Sequence, residues 1–173
     1  HPFSTPSYTR EVIWPNVQRG AAKSGRSLDD FEMIGTGFIA TGPDEEAVQK
    51  ARENARYRIA FYASTRTYLP VLAHHGWEEI NPRLRDLIAE NRWEDLGTAV
   101  PDEVLDGFCV SGTWDEIVPR IAEHLGGLVD TLSIGVPDDD GASDPRYLTM
   151  LDGLRKLPKA ERPKAPVVDA PST

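Results

Sequence analysis

Cysteine is nearly absent: Cys109 stands alone among 173 residues. A single thiol cannot build a disulfide framework, so a reducing, cytoplasmic compartment is the expectation. No apolar run is long enough to span a bilayer, and no charged-then-apolar leader is present, so no membrane partner is expected. Positive charge is also short. Lys and Arg number 19 against 28 Asp and Glu, a formal net charge of −9. Nucleic acid and anionic membranes repel such a surface, and no basic run with interleaved aromatics offsets it. The sequence offers no Ser-His-Asp set, no Cys-His pair and no paired carboxylates at a meaningful spacing. The glycines at Gly35 and Gly37 do not extend to Gly-x-Gly-x-x-Gly, so a Rossmann dinucleotide site is not supported. Metal ligation has little to stand on. His74 and His75 are adjacent and cannot share a helix face, with no further His or Cys nearby. Asp138, Asp139 and Asp140 lack the spacing of a calcium loop and read as a solvated acidic turn.

What is there reads as alternating helices and strands. Thr5 is placed to cap a helix with Pro6 at its first position, and Tyr8, Val12, Ile13, Val17 and Ala21 recur at helical spacing. Pro15 falls inside that pattern and should kink it, because it removes one backbone donor. Gly25 ends the segment, and Ser27 to Asp30 has the form of a capping box. Residues 31–41 carry β-friendly side chains interrupted by Gly35 and Gly37, which predicts one strand with a bulge or a close backbone approach. Asp44 should cap a long helix whose apolar stripe is Val48, Ala51, Ala55, Ile59 and Tyr62. From Ala63 to Val100 the helical pattern is broken. Short helices at 68–74 and 82–91 flank a turn pivoting on Gly76, and a helix over 102–106 leads to a strand at 108–111.

Thr113 and Glu116, three apart, have the form of a capping box before Ile117, Val118, Ile121 and Leu125. Gly126 and Gly127 should stop that helix ahead of an apolar strand at 129–136. Strand, helix and strand with brief turns predict a βαβ unit and parallel pairing. Pro145 opens a last helix carrying Tyr147, Leu148, Leu151 and Leu154. The residues therefore predict an α/β body over 1–157 with about three strands, then a Pro-rich tail over 158–173 expected to be disordered.

Four segments carry a family likeness: HPFSTPSYTREV, GTGFIATGPDEEA, IAFYASTRTYLPVLAHHGW, and SGTWDEIVPRI with GGLVDTLSIG. In that order they resemble the bacterial luciferase-like monooxygenase superfamily, in its coenzyme F420-dependent branch. The likeness runs from His1 to about Val136. It implies an α/β fold, the C-terminal part of a (β/α)8 TIM barrel, incomplete and with extra helices, since a whole barrel takes roughly 250 residues. It implies hydride transfer or monooxygenation by coenzyme F420, or alternatively FMN, on a small-molecule substrate. The early strands, with much of the cofactor-binding and catalytic surface, are expected upstream of His1, so this chain alone is expected to be inactive. Association with that missing N-terminal half, or with a second copy, follows. A reading from another class also stands: a non-catalytic α/β module that binds a partner chain through an open sheet edge.

The resemblance makes His1, Ser4, Thr5, Arg66 and Tyr68 candidate cofactor contacts. His1, Ser4 and Thr5 sit where a strand would hand over to its helix, although capping alone accounts for Thr5. Arg66 could reach a phosphate, although a loop Arg is more often solvated. Gly112 and Thr113 resemble a phosphate-binding helix start, but the capping box already uses the free donors. Cys109 reads as a small core residue. One of the two adjacent histidines is expected to pack on Trp77.

Overall fold

The structure is a computed structural model that describes residues 3–35, 37–137 and 139–159. The chain enters through α1 (Pro6–Tyr8), a π-helical turn (Thr9–Ile13) and α2 (Trp14–Ser24). Thr5 caps this run, its Oγ1 accepting from Tyr8 N at 3.2 Å. The expected break at Pro15 takes the form of that π-turn. Pro15 has no N–H to give, and just before it Trp14 N donates five residues back to Thr9 O, widening the coil where the α-ladder would lose a rung.

The predicted single strand over 31–41 is two short ones, β1 (Ile34–Gly35) and β2 (Phe38–Gly42), in separate pairings. β2 runs parallel to β3 (Cys109–Thr113), with Phe38 opposite Cys109 and Gly42 opposite Thr113. Between them come α3 (Glu45–Ala63), a 3-10 turn (Arg66–Tyr68), α4 (Leu69–Ala73), α5 (Ile80–Ala89), a 3-10 segment (Trp93–Ala99) and α6 (Asp102–Phe108). Asp44 caps α3 as expected, accepting from Ala47 N at 2.9 Å.

After β3 come α7 (Ile117–Leu125), β4 (Thr131–Leu132), α8 (Asp139–Ala142) and α9 (Pro145–Arg155). The expected pairing of β3 with β4 does not form. β4 instead lies parallel to β1, with Ile34 opposite Thr131. Asp130 explains the choice: its carboxylate accepts from Met33 N at 2.8 Å and its own N–H donates to Met33 O at 2.9 Å. That two-way clasp ties the short strand to β1.

Three apolar groups hold the fold. The largest packs α3 against α4, α5 and α6 through Ile59, Leu72, Leu84, Leu96, Leu105 and Phe108. Asn81 is buried inside it and donates from Nδ2 to Ala63 O at 2.6 Å, supplying a partner to a carbonyl that the end of α3 leaves open. A second joins α7 to α9 through Ile117, Ile121 and Met150, with Trp114 and Tyr147. The third, Trp14, Ala21 and Leu28 with Phe31 and Met33 beside them, seats α2 on the approach to β1. No described helix is long and apolar enough to cross a membrane.

Candidate functional site

Parallel strands give the sheet two unlike ends. Phe38 and Cys109 begin β2 and β3; Gly42 and Thr113 finish them. The segment holding the candidate residues lies at the beginning of β3. Phe3 stacks on Phe108, the residue just before β3, with ring centroids 4.4 Å apart. It also meets Tyr62 and Tyr68 at 5.9 and 5.2 Å. Phe3 is 2% exposed and works as the anchor of this end of the chain.

That anchor places Thr5 against the HHGW turn. Thr5 Oγ1 lies 2.8 Å from His75 Nε2, and Ser7 Oγ lies 3.4 Å from the same nitrogen. His75 stacks almost flat on Trp77, 4.2 Å between centroids, so the expected packing of one histidine on that indole is observed. Burial holds the His75 pKa below the ordinary imidazole range, and the neighbouring His74 adds to the effect. His74 turns elsewhere, its Nε2 3.5 Å from Glu11. The two imidazoles therefore serve different partners. Among the described residues no three His, Cys, Asp or Glu side chains gather as a metal site.

The other candidates part company. Ser4 Oγ shares a hydrogen bond with Thr9 Oγ1 at 2.8 Å. Tyr68 is half-buried in the aromatic cluster with Phe3 and Tyr62. Arg66 is exposed at the start of the same one-turn 3-10 helix, and no contact joins it to Ser4 or Thr5. His1 lies outside the described residues, as do Asp138 and the tail beyond Lys159.

An open cleft of about 600 Å³ runs from Thr5 and His75 to Ser111 and Arg120. Two of its charged wall residues, Arg120 and Asp106, are already paired. Arg120 donates to Ser111 O at 2.7 Å and pairs with Glu116 at 3.2 Å, while Asp106 pairs with Arg52 at 2.8 Å. Cys109 sits beneath with its thiol pushed up to about 11 by burial, so it is protonated and no nucleophile at neutral pH.

The opposite end is closed by backbone and an arginine. Trp114 N donates to Gly42 O at 3.0 Å, and Arg146 donates to Pro43 O at 3.0 Å while its guanidinium lies 5.6 Å from the Trp114 ring centroid. The capping box at Thr113 is half formed. Thr113 N and Oγ1 both donate to the Glu116 carboxylate, at 3.2 and 3.1 Å, and α7 starts only at Ile117. Those hydrogen bonds hold the Glu116 pKa down. Arg146 and Phe3 carried no sequence signal beyond their residue type. Phe108 lies about a hundred residues from Phe3, and Pro43 as far from Arg146, beyond any local pattern.

Compared with known proteins, residues 1–131 match the family model described as luciferase-like monooxygenase. The chain belongs to the luciferase-like monooxygenase family. Its relatives in that family include an uncharacterized protein of Mycobacterium tuberculosis, 38% identical over 130 residues, 75% of this chain and 38% of the relative. The 5,10-methylenetetrahydromethanopterin reductase of Archaeoglobus fulgidus is 31% identical over 154 residues, 86% of this chain and 44% of that protein. The enzyme of the same name from Methanopyrus kandleri is 30% identical over 131 residues, 73% of this chain and 36% of that protein. The chain thus spans about two fifths of the length of the curated relatives it matches. The family expected from the four quoted segments is borne out, and with it a mixed α/β fold with short parallel strands and oxidoreductase chemistry at the level of the family.

Proposed function

We propose that this chain is the late part of a luciferase-like (β/α)8 barrel whose complete form transfers hydride between coenzyme F420 and a small-molecule substrate. The observation that carries the reading is the similarity to two enzymes named as reductases, on top of the family match across residues 1–131. FMN is the alternative cofactor, since the family as a whole is named for monooxygenation. Barrel enzymes build their sites at the C-terminal ends of the strands. In this chain Gly42 and Thr113 stand side by side at such an end.

The side chains described here do not by themselves fit a phosphate-bearing ring cofactor. Thr5 is 2% exposed with its hydroxyl engaged by Tyr8 N and His75, and Ser4 is engaged by Thr9. Tyr68 is packed among rings, and Arg66, the one side chain here with a fork for phosphate, is exposed in its one-turn 3-10 helix. The cradle is therefore assigned to the earlier strands of the barrel, with His1, Ser4, Thr5, Arg66 and Tyr68 as this chain's candidate contributions. No chemical step is derived through the cofactor.

The test is a fluorescence titration of coenzyme F420, with FMN in parallel, against a protein in which the early strands precede this chain. Saturable binding of F420, tighter than FMN, is the expected result; binding of neither contradicts the reading. A second reading, a non-catalytic module associating through its strand edges, draws on Ile34 and Val136, which are 57% and 77% exposed beside the short strands. Under that reading the isolated chain self-associates on size-exclusion chromatography and the extended protein binds no cofactor.

A further inference from the structure

Beside the π-turn lies a cavity of about 370 Å³ between α2, β1 and the end of α7 with the loop that follows it. This is the size of a small-molecule site. Its walls are mainly apolar, formed by Ile13, Val17, Met33 and Leu125 among others, with Val129 standing over Gly35. A Cβ on Gly35 would come within 2.7 Å of Val129 Cγ1, so the bare glycine lets the loop before β4 close over β1 without a side chain rising into the space. At one end the walls turn polar, with the hydroxyls of Ser4 and Thr9. Thr9 and Ile13 are the first and last residues of the π-turn, and both face the cavity.

The hydroxyl pair decides what kind of ligand fits. Ser4 Oγ and Thr9 Oγ1 are 2.8 Å apart and either can donate. If Thr9 donates, Ser4 has only Thr5 O for its own hydrogen, a long contact at 3.3 Å. If Ser4 donates, the Thr9 hydrogen is left to point into the cavity. An acceptor atom placed there selects the second arrangement and replaces a poor hydrogen bond with a good one. We infer that this cavity is a binding site for an apolar ring compound bearing a carbonyl, the rings lying among Ile13, Val17, Met33 and Leu125 and the oxygen accepting from Thr9. The site needs no cofactor, so it goes beyond the function proposed above and is tested without it.

The probes are benzophenone and diphenylmethane, which share two rings and differ in the carbonyl. Calorimetric titration of the chain is expected to show one site, with benzophenone bound about fivefold tighter, the worth of one net hydrogen bond. Thr9→Val is expected to bring benzophenone down to the level of diphenylmethane while leaving the hydrocarbon unchanged, and Thr9→Ser to restore the preference. Irradiation of bound benzophenone, with mass spectrometry of the labelled peptides, is expected to mark the stretches holding Ile13 to Val17 and Met33. Should a variant fail to melt like the parent chain, the labelling pattern alone decides. Equal binding of the two probes, or label spread over the surface or confined to the separate cleft between α7 and α9 that Ile121, Leu151 and Leu154 line, overturns the proposal.

Discussion

Thr5 and His75, seventy residues apart, meet through a 2.8 Å hydrogen bond that ties the start of the chain to the turn after α4. Thr5 Oγ1 already accepts from Tyr8 N, so the contact to His75 completes a hydroxyl buried to 2% exposure. The stacking of His75 on Trp77 sets the ring's plane. One threonine thus caps a helix and latches two distant segments together.

That latch has a pH dependence. Burial and His74 lower the His75 pKa while Glu11 opposes them, and burial likewise lowers that of His124 with Glu123 opposing. A folded-state pKa below the unfolded value favours the neutral ring. The stabilisation is complete above the ordinary imidazole pKa of about 6.5 and is lost as pH falls through the lower folded value. Urea midpoints measured from pH 7.5 down to 5 should therefore fall, and His75→Gln should flatten part of that slope. An unchanged slope in the variant would assign the effect to His124.

Phe3 should matter more than its place near the end of the chain suggests. Phe3→Ala removes a fully buried ring stacked on Phe108 and should cost about 3 kcal/mol, read as a drop in the urea midpoint at constant m-value. A loss below about 1 kcal/mol would mean the segment is not held as described.

Thr41 offers a change in the opposite direction. Its hydroxyl is buried in β2 and finds no partner among the described residues. Thr41→Val keeps the shape and removes an unsatisfied polar atom, so stability should rise by about 1 kcal/mol. A destabilised variant would show that the hydroxyl is satisfied in solution.

Arg56 joins α3 to the start of α6 by pairing with Asp102 and Glu53 and donating to Val100 O at 2.7 Å. Arg56→Ala should cost about 2 kcal/mol, because it strips the Val100 carbonyl of a charged donor as well as the ion pairs. The hydrogen bond from Arg56 holds the Asp102 pKa below the usual carboxylate value. That contribution is present above an unfolded pKa near 3.8 and is lost as pH falls through the lower folded value. Asp102→Asn should accordingly lose its deficit against the parent chain at low pH, and a deficit that persists there would argue against the pairing.

Local chemistry was legible in the sequence and long-range closure was not. Asp44, Pro145 and Gly127 announced helix ends because caps and left-handed turns are decided within four residues. Tyr62 and Ile59 showed their burial through helical spacing for the same reason. The separate pairing of β1 with β4 is held by Asp130 reaching Met33 across 97 residues, and no periodicity carries that. The candidate site shows the same limit. Thr5 was identifiable as a cap, but its contact with His75 and the stacking of Phe3 on Phe108 exist only once α3 to α6 have brought distant segments together. The half-formed capping box at Thr113 is a milder case, where the right residues were read and Glu116 proved to accept both hydrogen bonds instead of exchanging them.

Whether this chain is a late segment of a luciferase-like oxidoreductase is decided by the coenzyme F420 titration of the protein carrying both this chain and the early strands. Saturable F420 binding by that protein, at a site that FMN fills less tightly, is the expected result, with little or none by this chain alone. Full-strength binding by this chain alone would contradict the assignment of the cradle to the earlier strands, and no binding by the extended protein would contradict the function itself.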